Sequence, residues 1–90
     1  MRTYRLMIRT PEKLIYDVAA LSMTVTTKNG GLTVMAEHAP MLVLLEEGQF
    51  VVKTEEGTAE GVTGRGVLKV HSGEAVVMVH SFKWADDETA

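Results

Sequence analysis

The 90-residue chain contains no cysteine. That absence removes disulfides, thiolate zinc sites and thiol nucleophiles together, and it fits a reducing compartment. No apolar run approaches the ~18 residues that a membrane-spanning helix needs. The longest, Met41-Leu42-Val43-Leu44-Leu45, is the length of a strand. Arginines at positions 2, 5 and 9 break up the apolar residues of the N-terminal stretch, so no secretory signal is expected. A basic surplus is missing as well. The net charge of -3 argues against a nucleic-acid binder.

Chemistry-bearing patterns are equally scarce. His38, His71 and His80 show neither His-x-x-x-His nor His-Glu-x-x-His spacing, so surface or interface roles are expected for them and no metal site. A nucleophile needs an oriented base. Ser22, Ser72 and Ser81 lack the Gly-x-Ser-x-Gly elbow that would present one. The acid pairs Glu46-Glu47, Glu55-Glu56 and Asp86-Asp87 read as solvated turns, because neighbours on a strand point to opposite faces. Gly64-Arg65-Gly66 lacks the third glycine and the following helix of a phosphate loop, and reads as a hairpin or bulge. No catalytic residue, cofactor or metal ligand is expected.

What the chain has in quantity is alternation. Tyr4, Leu6 and Ile8 alternate with Arg5, Met7 and Arg9. Leu21, Met23 and Val25 alternate with Ser22, Thr24 and Thr26. Leu68 and Val70 alternate with Val67, Lys69 and His71. Period two places one set on each face of a strand. Turn signals punctuate the pattern at Lys28-Asn29-Gly30-Gly31, Glu46-Glu47-Gly48, Glu55-Glu56-Gly57, Thr63-Gly64-Arg65-Gly66 and Ser72-Gly73, with Asn-Gly and Glu-Gly pairs supplying positive φ. The spacing predicts strands near 2–10, 13–18, 20–27, 32–36, 41–45, 49–54, 58–63, 66–71 and 75–81, with Pro11 separating the first from the second. The fold class is all-β: one antiparallel β-sandwich or flattened barrel of about nine or ten strands over residues 1–84. No C-terminal helical domain is expected, and residues 85–90 form a frayed acidic tail. The methionines read as core filling, with a share available for adaptable protein contacts.

Several segments taken together resemble a known family. Leu6-Met7-Ile8-Arg9-Thr10-Pro11-Glu12-Lys13 is similar to an opening strand followed by a Thr-Pro-Glu turn. Gly30-Gly31-Leu32-Thr33-Val34-Met35-Ala36-Glu37-His38-Ala39-Pro40-Met41-Leu42 is similar to a Gly-x-Leu-Gly-Val-Leu-Pro-Gly-His-Ala-Pro-Leu-Leu segment. Leu45-Glu46-Glu47-Gly48-Gln49-Phe50-Val51-Val52 and Gly64-Arg65-Gly66-Val67-Leu68-Lys69-Val70 follow the same pattern. Over about residues 3–81 the chain resembles the N-terminal β-sandwich domain of the epsilon subunit of F-type ATP synthases. It departs from that pattern at Thr33, Ala36 and Glu37, which stand for Gly, Pro and Gly. It departs again at Gly31, where an acidic residue is frequent, and at Arg65 between two glycines.

The resemblance implies a non-catalytic central-stalk subunit, peripheral to the cytoplasmic face of an energy-transducing membrane. It would bind the gamma subunit through His38, Ala39, Pro40, Met41 and Leu42, and the c ring through Asn29, Gly30 and Gly31. Rotation driven by ion flow would pass through it to ATP synthesis. The family's C-terminal helical hairpin, with its inhibitory and nucleotide-binding roles, is not carried over. Torque transfer of this kind implies an interface above ~2,000 Å² and an exposed apolar patch including Met41 or Leu42. The isolated chain could self-associate through the same surface. His38 has two readings, a shaped part of that surface or a structural histidine bonded to nearby backbone. The alternative function is a stand-alone sandwich that binds a peptide by strand addition, or a small ligand, marked by a long uncovered edge or a deep pocket.

Overall fold

Alternating strands joined by tight turns build the chain. The computed structural model describes residues 2–85. Apart from Ala85, the expected acidic tail lies outside the described residues. Ten strands run in order: β1 Tyr4–Arg9, β2 Leu14–Ala20, β3 Ser22–Thr27, β4 Gly30–Met35, β5 Met41–Leu45, β6 Gly48–Thr54, β7 Gly57–Thr63, β8 Gly66–His71, β9 Glu74–Val79 and β10 Phe82–Trp84. They form two five-stranded sheets, β2-β1-β9-β8-β5 (sheet A) and β10-β7-β6-β3-β4 (sheet B). The expected sandwich is therefore the architecture. One pairing departs from the antiparallel expectation. β1 and β9 run parallel, Arg5 opposite Glu74 through Arg9 opposite Met78. Most of the chain forms between these two strands, which gives it the long return that a parallel pair requires.

Turn chemistry sets the strand boundaries. β4 starts at Gly30, two residues earlier than expected, because the β3–β4 turn is short. Gly30 has φ 107, a region open to glycine. The Thr27 hydroxyl donates to the Gly30 carbonyl at 2.8 Å and accepts from the Asn29 amide at 3.1 Å. The two Glu-Gly turns flank β6, but they differ. Gly57 has positive φ. Gly48 does not, and is needed for space, since a Cβ there would lie 2.6 Å from the Thr26 hydroxyl.

The core lies between the sheets. Leu6, Ile8, Met23, Val25, Val34, Phe50, Val52, Leu68 and Val77 are fully buried in it. β10, which the sequence pattern does not predict, closes one side. Phe82 and Trp84 meet edge-to-face at 4.6 Å, Trp84 meets Tyr16 of β2 at 4.8 Å, and Phe82 meets Phe50 at 5.5 Å. Four of the chain's five aromatic residues thus seal the gap between the β2 and β10 edges.

Tyr4, the fifth, ties the sheets together. From β1 its hydroxyl donates to the Val34 carbonyl of β4 at 2.8 Å. Burial pushes its phenol well above the ordinary value of 10.0. The unfolded chain releases that proton near pH 10 and the folded chain holds it. Stability is therefore intact below pH 10 and falls as pH rises above it. Tyr4→Phe is expected to cost about 1 kcal/mol at neutral pH and to reduce the alkaline loss, both measurable by urea unfolding at pH 7 and above pH 10.

Candidate functional site

The strand register puts a different chemistry on each outer face. On sheet B, Ser22, Thr24, Thr26, Thr33, Gln49, Lys53, Glu60 and Lys83 point away from the core, interrupted by Met35, Val51 and Val62. The Thr24 and Thr33 hydroxyls meet at 2.8 Å. This is a solvated face.

Sheet A carries apolar residues on both sides, though Arg5, Arg9, Lys69, His71 and Glu74 share its outer face. Leu45 is buried inside, and Met41 and Val43 pack against the core; Leu42 and Leu44 point outward and are each 72% exposed. Leu44 sits opposite Val67, Val67 opposite Met78, and Lys69 opposite Val76, which pairs with Met7. Leu42, Leu44, Val67, Val76, Met78 and Met7 therefore form an outer apolar stripe, joined through Leu44, Val67 and Met78 and interrupted by Lys69 between Leu42 and Val76. At its β1–β2 side a charged rim follows. Arg5 donates to Asp17 at 2.8 and 3.0 Å and lies 3.9 Å from Glu74. The hydrogen bond from Arg5 holds the Asp17 carboxyl below its usual range. An apolar centre with a polar rim is the anatomy of a protein interface.

The structure separates the two residue sets that the sequence singled out. Asn29, Gly30 and Gly31 lie together at the β3–β4 turn, exposed at one end of the sandwich. His38, Ala39 and Pro40 lie at the other end, on the corner that carries the chain from sheet B to sheet A. The six residues of β4 stand between them, about 16 Å of strand. Met41 and Leu42 then diverge. Met41 turns into the core and Leu42 onto the outer stripe. The His38 ring is exposed, and its Nδ1 lies 3.3 Å from the Ala39 carbonyl. Leu44, Val67, Val76, Met78 and Met7 are the stripe residues that sequence reasoning missed. For Leu44, Val76 and Met78 the signal was the unbroken apolar runs of β5 (MLVLL) and β9 (AVVMV), which mark strands flanked on both faces; Val67 of β8 and Met7 of β1 lie in neither run.

At this corner one departure from the family pattern meets a backbone that favours glycine. Glu37 has φ 71, the left-handed region that favours glycine, and its carboxylate meets Arg2 at 2.7 Å. Both side chains are exposed, so the ion pair is worth little. Glu37→Gly is expected to raise stability by about 0.5–1 kcal/mol, read as a higher urea midpoint at unchanged slope.

Among the described residues no group of three His, Cys, Asp or Glu side chains gathers as metal ligands would. The cavities are open surface hollows; those of 260 and 620 Å³ at the His38 end share Arg2, Met35, Ala36 and Glu37 in their walls.

The family model for the ATP synthase delta/epsilon chain β-sandwich domain matches residues 3–85. The chain belongs to this family. Among solved structures it is similar to a chain of the Euglena gracilis mitochondrial ATP synthase, in an assembly of OSCP, F1 and c-ring. There the TM-score is 0.89 at 19% identity, over 97% of this chain and 56% of that one. It is also similar to a chain of the Tetrahymena thermophila mitochondrial ATP synthase central stalk and c-ring, with a TM-score of 0.75 at 15% identity, over 96% of this chain and 72% of that one. At such identities the likeness is one of fold. The chain spans little more than half the length of the Euglena relative. No curated protein matches it.

Proposed function

We propose that this chain is the sandwich portion of a central-stalk subunit of an F-type ATP synthase, with no catalytic role of its own. Its outer sheet-A stripe lies against gamma, and its β3–β4 turn faces the c ring. The observation that carries this reading is the apolar outer stripe on a member of the delta/epsilon family, where a soluble monomer would place polar side chains. The placement of the two ends fits the same reading. A domain that touches a ring with one end and a shaft with its side passes torque along its own length. That task needs a closely packed, stiff body. The chain would be peripheral to the cytoplasmic face of the membrane, held there by its partners.

Calorimetric titration with purified gamma subunit tests the reading. One-to-one binding is expected, weakened more than tenfold by Leu42→Asp with Leu44→Asp. Both side chains are exposed, so the urea midpoint of the variant should hold. Met41 is unsuited to this test because it packs against the core. No heat at tens of micromolar gamma, or binding indifferent to the two substitutions, would overturn the stalk role.

A second reading has one observation in its favour. β5 pairs with β8 and forms an edge of sheet A, so an extended peptide has backbone groups to pair with. Such binding would follow the backbone of β5, and capped peptides of alternating apolar pattern would compete for it.

A further inference from the structure

At the end that carries the β3–β4 turn, an open cavity of 350 Å³ lies beside the apolar stripe, with Arg9, Thr10, Pro11, Arg65, Met78 and His80 in its wall. Three separated stretches of chain bring the two guanidiniums and the His80 ring together, and the fold holds each in place. Arg9 ends β1 directly opposite Met78 in the parallel pair. The His80 amide donates to the Arg65 carbonyl at 3.0 Å, which sets those two residues side by side. Gly66 packs without a side chain against the backbone at Met78 and Val79, fixing the start of β8 on the end of β9.

The charge here runs against that of the chain, which carries -3 overall. Arg2 meets Glu37, Arg5 meets Asp17 and Glu74, and Arg65 reaches Glu46 at 3.7 Å. Among the described residues Arg9 is the arginine that makes no such ion pair. Two guanidiniums against one carboxylate leave the cavity positive, and the His80 ring and Thr10 hydroxyl add donors. A guanidinium fork fits an oxyanion through two parallel hydrogen bonds. A carboxylate would occupy one fork. A phosphate presents three oxygens and up to two charges, enough for both forks and the hydroxyl. The Met78 thioether and Pro11 ring add apolar wall, as in sites for ligands with an apolar body beside a charged group.

We propose that this cavity binds a phosphate-bearing anion with an apolar body. The proposal stands apart from the stalk reading, since it needs only the isolated chain.

The test is amide NMR of the full chain titrated separately with inorganic phosphate, with adenosine monophosphate, and with phosphatidylcholine vesicles with or without phosphatidylglycerol. Saturable shifts are expected at Arg65, Gly66 and His80, with adenosine monophosphate binding about tenfold tighter than phosphate alone. Arg9→Gln with Arg65→Gln should abolish them while leaving the spectrum elsewhere that of the folded chain. Arg5→Gln, on the same sheet but outside the cavity, should leave binding unchanged. Shifts with the soluble anions would assign the site to free phosphate compounds. Shifts confined to phosphatidylglycerol vesicles would assign it to a lipid headgroup. No saturable shift with any probe, or shifts that survive the double substitution, would overturn the proposal.

Discussion

Replacing Gly66 by alanine is expected to destabilise the chain by about 3 kcal/mol or more, the upper range for overpacking. The added methyl would collide with the Met78 carbonyl oxygen, and would stand 2.7 Å from Val79 Cα and 2.8 Å from Val79 Cγ1. The first two are backbone atoms at the end of β9, the central strand of sheet A, which is held by β1 on one side and β8 on the other. Neither strand can withdraw without breaking a ladder. Gly31→Ala is the contrasting case. Its methyl would meet atoms no nearer than 3.7 Å, an ordinary contact on the outer face of an edge strand. A change within about 0.5 kcal/mol is expected there, as for most surface positions. Urea unfolding of both variants separates them. Equal midpoints would mean that β8 and β9 do not approach as closely as the structure places them.

Gly66 also marks the limit of what the sequence discloses. Gly64-Arg65-Gly66 reads as a hairpin or bulge, because glycine pairs between alternating runs commonly make one. The residues instead carry the chain from β7 in sheet B to β8 in sheet A, a change of layer that leaves no mark on local periodicity. The Thr27–Gly30 turn was legible for the opposite reason. Its geometry is fixed within four residues, by a positive φ and a threonine hydroxyl.

The outer face of sheet A shows the same division. Alternation assigns one set of side chains to the core and the other to water, provided that the two sets differ. In Met41–Leu45 both are apolar, so the sequence announces a strand covered on each side without saying which residues face inward. Only the pairing of Leu44 with Val67 and of Val67 with Met78 gathers the outer set into a stripe. Arg9, Arg65 and His80 are harder still to connect, since nothing in their separate stretches predicts that β1 and β9 will run side by side. The stalk contacts expected at 29–31 and 38–42 rest on family resemblance alone. The structure places them at opposite ends, with the apolar stripe along the side between.

Phe50→Ala is expected to cost about 3–5 kcal/mol, the range for emptying a large aromatic site. Phe50 is fully buried in β6, beside β3 and β7 at the centre of sheet B, and meets Phe82 at 5.5 Å and Trp84 at 6.3 Å. Its removal acts twice. It opens a cavity between the sheets, and it takes away the ring against which β10 closes the side of the sandwich. β10 has three residues and pairs with β7 alone, so aromatic packing is what keeps it in the sheet. Small domains are stable by only about 5–15 kcal/mol. The variant should therefore unfold at a much lower urea concentration and show early loss of hydrogen-exchange protection at Phe82–Trp84. Phe50→Leu keeps most of the volume and should recover more than half of the loss. If the two variants were equally damaged, edge-to-face contact rather than volume would hold β10. If neither lost more than about 1 kcal/mol, well below the cost of a filled core site, Phe50 would not be the keystone between the sheets.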